Sequence, residues 1–367
     1  MTILHSFGAS PTDGTNPKAG LTMDSAGNLY GTTFAGGAIG VGTLFKISPD
    51  GTETILHSFA GSQVDSVNPA GPLTIDGAGN LYGTTNGGGP TDLGTVFKLS
   101  AAGTHSVLHW FTGGPNDGAY PSSGLTMDSA GNLFGTTFGG GAGGEGIVFK
   151  VSAMGAESVV HSFVGIQIDG RHPRGGLTMD GAGNLYGTTT DGGVGVYDFG
   201  TVYKISPDGT ESVVYTFLGE DGGEPYARVT IDSSGNLFGT TLNAGNATVL
   251  ASGVVFKITP SGTNTVLHYF TGGITSAITD AGYPYAGVLI GSDGFLYGTS
   301  SRGGVNDRGT LFKVGTAGTL NIVHTFAGAP DDGEGPYGDL IVDSAGNLYG
   351  TTALGGANNA GTVFMID

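Results

Sequence analysis

The chain contains no cysteine, so neither disulfides nor thiolate metal sites can hold it together. Charge is scarce at 11%, and positive charge scarcer still: 12 Lys and Arg against 30 Asp and Glu leave a net charge of −18. A chain of that sign repels phosphate backbones, which excludes nucleic acid as an expected partner. No apolar run approaches the roughly 18–20 residues needed to cross a bilayer, so no membrane span is expected. The opening residues lack a basic start followed by an apolar stretch, so no signal peptide is read there; export would need a targeting segment outside this sequence. No segment holds a helical period over about ten residues. Phosphate loops, nucleotide motifs, a His-rich metal signature and a nucleophile–base pair are also missing.

What abounds is glycine, 74 of 367 residues, at fixed places between alternating apolar segments. One stretch organises the chain: Gly27-Asn28-Leu29-Tyr30-Gly31-Thr32-Thr33. It returns at Gly79–Thr85, Gly131–Thr137, Gly183–Thr189, Gly235–Thr241, Gly294–Ser300 and Gly346–Thr352. The step is 52 residues, with one step of 59. A fixed period of this length marks a repeat architecture.

Each unit reads as four short strands: A (Leu21–Asp24), B (Asn28–Thr33), C (Thr43–Ser48) and D (Glu53–Phe59), joined by turn chemistry. Later D strands end at Phe111, Phe163, Phe217, Phe270 and Phe326. The seventh unit has A, B and C and then stops, while an unmatched D-like strand, Thr2–Phe7, opens the chain. The two ends must therefore complete one unit together, as in a closed ring without free edges. The expected fold is all-β: a seven-bladed β-propeller with four antiparallel strands per blade, closed by the N-terminal strand. Residues 1–367 form one domain, with blades near 20–59, 72–111, 124–163, 176–217, 228–270, 287–326, and 338–367 plus 1–7.

The pattern Asp24-x-x-Gly27-Asn28-Leu29-Tyr30-Gly31-Thr32-Thr33, a following Gly-Gly, and Gly42-Thr43-Leu44-Phe45-Lys46 resembles the GloVer tandem repeat of bacterial proteins. The resemblance covers all seven units. It implies a β-propeller and an extracellular or cell-surface setting, and it supplies no established activity and no catalytic residues. Many members carry export signals or surface anchors, which this sequence does not show.

Four residues recur at fixed positions. Six histidines share one place in strand D (His5, His57, His109, His161, His268, His324), with Tyr215 in the seventh. Blades splay apart there, so these imidazoles cannot converge on one ion, and a structural spacer at the blade edge is expected. Lys46, Lys98, Lys150, Lys204, Lys257 and Lys313 share a place in strand C; their stems are expected on the neighbouring blade. Asp24, Asp76, Asp128, Asp180, Asp232 and Asp343 precede the A–B turn, as in an Asp-box hairpin, and Gly291 replaces this Asp in blade 6. Every D–A loop carries Asp-x-x-x-Pro, from Asp13, Asp65, Asp117, Asp169, Asp221, Asp280 and Asp332. That spacing survives a longer approach at Ile274–Thr279 and a shorter one at Leu218–Glu220. Either each Asp braces its own loop, or some carboxylates form a rim that holds Ca²⁺, the one cofactor this sequence suggests.

The leading function is a non-catalytic binding or interaction scaffold. Its ligand would be a glycan, a cell-wall component or a protein, taken on the face that carries the D–A and B–C loops. Candidate binding residues there are the seven D–A aspartates with Tyr197, Arg302 and Arg308. Two alternatives differ in class. A carboxylate- or metal-dependent lyase or hydrolase would use unlike groups near the central channel, and Asp92, Asp191, Asp198, Asp307 and Arg308 are the non-repeated candidates. A structural subunit of a surface assembly or filament would need no such site.

Overall fold

Thr22–Met23, Leu29–Thr33, Thr43–Ile47 and Glu53–Ser58 form strands A to D of blade 1, paired in that order as an antiparallel sheet. The computed structural model describes residues 1–61, 65–165, 168–195, 198–245, 250–272 and 280–367, and the same plan recurs in seven sheets. Strand A is reduced to two residues in every blade, and strand D carries a bulge. In blade 1, Leu44 pairs with His57 and Phe45 with Ile55, so Leu56 is an extra residue that re-aims the histidine.

The ring closes as the repeat count demands. Thr2–Ser6 pairs antiparallel with Thr362–Ile366, completing blade 7 with a strand from the other end of the chain. The Asp-box reading also holds. Asp24 Oδ1 accepts the N–H groups of Ala26 and Asn28, and Oδ2 accepts Asn28 Nδ2 and the Tyr30 hydroxyl. In blade 6, where Gly291 stands at this place, Asp293 takes the Phe295 N–H and Tyr297 hydroxyl instead.

The seams explain the rest of the signature. At each seam the last aromatic of one D strand packs on the strand C aromatic of the next blade. The pairs run from Phe7–Phe45 to Phe326–Phe364, with centroids 4.9–5.4 Å apart. All are buried, and each contributes on the order of 2–3 kcal/mol. Gly31 lies under that ring: a Cβ there would sit 2.5 Å from Phe45 Cζ and 2.9 Å from Leu21 Cδ2. The first Thr of Gly-Thr-Thr then stitches blades together. Thr136 donates to the Gly175 carbonyl at 3.0 Å and Thr188 to Ala227 at 2.9 Å. The second Thr bonds within its blade, Thr33 to Thr43 at 2.8 Å.

Two details were not expected. Several strand C lysines carry their ammonium over rings of their own blade. Lys98, Lys150 and Lys257 sit over Tyr82, Phe134 and Phe238 of their own strand B, at 5.4, 5.6 and 5.8 Å. The register puts Lys98 directly opposite Tyr82, which brings the ammonium over that ring. The long loops are also not wholly irregular. Gly14–Thr15 of the D–A loop pairs with Ala35–Gly36 of the B–C loop, and similar ribbons recur in blades 3, 4, 6 and 7. Two-residue, glycine-rich strands carry no alternation by which to be recognised.

Candidate functional site

The Asp-x-x-x-Pro loops build the site, though not through their aspartates. Asp13, Asp65, Asp117, Asp169 and Asp332 are buried, and Asp221 and Asp280 half-buried. Asp117 shows the pattern. Its carboxylate accepts the Thr112 and Gly118 N–H groups at 2.8 and 2.7 Å, and the Thr112 hydroxyl at 2.8 Å. Asp13, Asp65 and Asp332 hold their loops through the equivalent backbone pair, and Asp169, Asp221 and Asp280 through near variants of it. Burial pushes the Asp117 carboxyl up, but the bonds from His109 and Thr112 outweigh it and hold the group below its ordinary value. The repeat histidines are the missing partner. Nε2 of His109, His161 and His324 lies 3.1, 3.1 and 3.0 Å from the aspartate of the following loop. The strand D histidine is thus more than a spacer: it meets the Asp eight residues on, a spacing visible in the sequence at His5/Asp13 and His57/Asp65. The aspartates therefore face into the seams, and none of the seven lines the central cavity.

The residue before each proline does the aiming. Asn16, Asn68, Tyr120, His172, Glu224 and Tyr283 all adopt left-handed φ values, 53–64°. A non-glycine residue there costs roughly 1–2 kcal/mol, so the surroundings must enforce it. The enforcing contact is an N–H bond to the B–C loop of the preceding blade, such as Tyr120 to Leu93 O and His172 to Glu145 O, both 2.8 Å. The proline then turns the next residue toward the ring axis. Those next residues are Lys18, Ala70, Ser122, Arg174, Tyr226, Tyr285 and Tyr337, and all seven line the cavity.

This cavity, about 770 Å³, is the mouth of the central channel on the loop-rich face. On one side stands an arc of tyrosines: Tyr226–Tyr285 and Tyr285–Tyr337 pack with centroids 5.3 and 5.1 Å apart. Burial, then the neighbouring Tyr337 and Tyr226, raise the Tyr285 hydroxyl above its ordinary value, so it stays a neutral donor. Arg174 continues the arc, its guanidinium 4.1 Å from the Phe138 ring and 5.3 Å from Tyr226. Lys18 lies over Phe34 at 4.8 Å. Arg228 Nε meets Asp339 Oδ2 at 3.1 Å, and Asp339 Oδ1 accepts the Gly287 N–H at 2.8 Å. Among the described residues, the charged lining is Lys18, Arg174 and Arg228 against Asp339, in a chain whose net charge is −18.

The other expected residues lie away from this mouth. Arg302 is exposed and faces Asp307 at 3.4 Å; Arg308 bonds Glu334 at 2.5 Å. Asp92 holds the Gly88 N–H, Asp198 meets Arg171 at 2.6 Å, and Asp191 meets His172 at 2.9 Å. Tyr197 and the insertion at Ile274–Thr279 lie outside the described residues. The features that the loops share do not point to this lining. Its signal was the opposite: a position, directly after an invariant proline, that reads Lys, Ala, Ser, Arg, Tyr, Tyr, Tyr around the ring.

A family model described as the Gloeobacter/Verrucomicrobia repeat matches residues 1–196, 105–280 and 251–367. No curated protein matches the chain. Among solved structures, the extracellular domain assigned to a hybrid two-component system of B. thetaiotaomicron aligns over 95% of this chain at 9% identity and a TM-score of 0.59. This chain spans 38% of that one. A protein assigned as a 6-phosphogluconolactonase from Bacteroides uniformis aligns over 91% of this chain and 89% of its own, at 17% identity and a TM-score of 0.53. At such identities the likeness speaks for the fold alone. Among the described residues, no helix is long and apolar enough to cross a membrane.

Proposed function

Because the chain belongs to the Gloeobacter/Verrucomicrobia repeat family, whose repeat here builds a rigid propeller with one varied mouth, we propose that it is an extracellular binding module for an anionic glycan. The observation that carries this reading is the arc Tyr226–Tyr285–Tyr337 with Arg174 at its end. Tyrosine faces pack on the C–H faces of sugar rings while their hydroxyls and the Arg174 guanidinium hydrogen-bond the rim of the sugar. A cavity of about 770 Å³ falls in the usual range for a small-ligand site. Three cations gathered there in an acidic protein favour carboxylate-bearing sugars over neutral ones. The extracellular setting of one structural neighbour agrees with this placement.

Calorimetric titration with uronic-acid oligosaccharides and with neutral oligosaccharides tests the proposal. Binding of the acidic set is expected, weakened by salt, and weakened at least tenfold by Tyr285→Ala at unchanged melting temperature. Absence of binding to either set, or indifference to Tyr285→Ala, overturns it. Release of shortened sugars during the titration would assign catalysis instead of binding.

A further inference from the structure

Two histidines stand outside the strand D repeat, His105 and His172. His105 does not lie in a C–D turn, as its surroundings in the sequence suggest. It is the first residue of strand D in blade 2, His105–Trp110, where blades 1, 3 and 4 carry Glu53, Glu157 and Glu211. From there it crosses the seam to blade 1. Its ring stacks on that of His57, with centroids 4.1 Å apart and an interplanar angle of 8°. Asp65 closes the triangle: Oδ2 is 3.5 Å from His57 Nε2, and Oδ1 is 3.6 Å from His105 Nδ1. One donor atom from each residue lies within 4.8 Å of the other two.

A second observation bears on this cluster. Among the described residues, Nε2 of His105 is sealed from solvent without a hydrogen-bond partner, and Nε2 of His57, sealed as well, has only the long 3.5 Å approach to Asp65 Oδ2. Buried polar atoms left unpaired in a native fold ask for an ion or a water beside them. The same defect recurs at the flanking seams, at His5 Nε2 and Glu53 Oε1 before and at Glu157 Oε1 after. There the triangles are His5–Asp13–Glu53 and His109–Asp117–Glu157, each with one imidazole and two carboxylates. Only the seam between blades 1 and 2 offers two imidazoles and one carboxylate among these three. That donor set suits a borderline transition-metal ion rather than Ca²⁺, which takes oxygen.

We propose that His57, Asp65 and His105 form a divalent transition-metal site, of the Zn²⁺ type, at the seam between blades 1 and 2. Ligand atoms around a tetrahedral zinc lie roughly 3.3 Å from one another, given bonds of about 2 Å. The two carboxylate–imidazole distances, 3.5 and 3.6 Å, are already close to that. To bring both lone pairs to one ion, a stacked imidazole turns about its Cβ–Cγ bond, a soft torsion. A bound ion would cross-link two blades at their outer edge.

The test uses the untagged full chain. Zn²⁺ titration against a chromophoric chelator should find one tight equivalent, and Co²⁺ should give visible d–d absorbance of a nitrogen- and oxygen-ligated site. Two variants borrow residues the repeat already tolerates: His105→Leu, as at Leu320 in blade 6, and His57→Tyr, as at Tyr215 in blade 4. Each is expected to weaken binding at least tenfold and abolish the Co²⁺ spectrum, with melting in chelator unchanged. The wild-type titrations need no variant to fold. A chain that binds no stoichiometric Zn²⁺, or binds it equally well in both variants, overturns the proposal.

Discussion

The Thr351 hydroxyl donates to the carbonyl of Ala19 at 2.9 Å, joining the last blade to the first across 332 positions of sequence. Thr84, Thr136, Thr188 and Thr240 make the same bond to the blade that follows each of them. The bond recurs at the seam between blades 6 and 7 through Thr299, whereas Thr32, at the seam between blades 1 and 2, has no such partner among the described residues.

Closure does depend on the borrowed strand. Deleting residues 1–7 removes the pairing of Thr2–Ser6 with Thr362–Ile366 and the fully buried Phe7. The loss is expected to reach several kcal/mol, since a sheet edge and an aromatic seam are exposed together. Phe7→Ala alone should cost roughly 3–5 kcal/mol. Chemical denaturation of both variants checks this, and an unchanged midpoint in the deletion would refute the closure.

Gly135 should not accept a side chain. A Cβ there would lie 2.5 Å from Phe149 Cζ and 2.9 Å from Leu125 Cδ2. Gly135→Val is expected to destabilise by roughly 1–3 kcal/mol through overpacking. Thermal melting reads this directly, and a neutral variant would mean that the ring at Phe149 is free to move.

Asp117 acts as a brace, so its replacement should harm stability whether or not calcium is present. Asp117→Ala leaves the buried Gly118 N–H unpaired, a cost of roughly 1–3 kcal/mol, and removes the part-buried bonds from Thr112 as well. The folded carboxyl titrates below its unfolded value. Its stabilisation is thus complete above the unfolded value near 3.8 and is lost as pH falls through the lower, folded one. Melting between pH 7 and pH 3, with calcium or chelator, tests both points; a calcium-dependent rise removed by Asp117→Asn would restore the cation rim.

Glu53 should make the seam between blades 7 and 1 weaken as pH rises. Burial, then the charge of Asp13, raise its carboxyl from 4.5 to about 7. A folded pKa above the unfolded one means that the folded state holds the extra proton between those values. Stability from this group is therefore full below pH 4.5 and falls until about 7. Glu53→Gln is expected to stabilise the protein at pH 8 by on the order of 1–2 kcal/mol and to change little at pH 4.5. Equal effects at both values would show that Glu53 stays ionised in the fold.

The sequence by itself determined the architecture, because a propeller is written locally. The period, the Asp24–Asn28 hairpin, the alternation of Thr43–Ile47 and the unmatched strand Thr2–Ser6 are each legible within a few residues, and counting them closes the ring. It also showed that Asp13 and its equivalents keep a constant spacing to proline, without deciding between a loop brace and a cation rim. What it could not show was direction. Whether a side chain faces a seam, a channel or solvent depends on the bulge before His57, on the left-handed residue before each proline, and on which blade lies next door. Tertiary structure alone turned the seven aspartates into the seams and the residues after the prolines into the mouth. It likewise brought His105 to His57 across 48 residues, since seam contacts join positions about one repeat apart. Repetition fixes what every blade shares; the site arises where unlike residues at one repeat position meet around a common axis, and only closing the ring makes them neighbours.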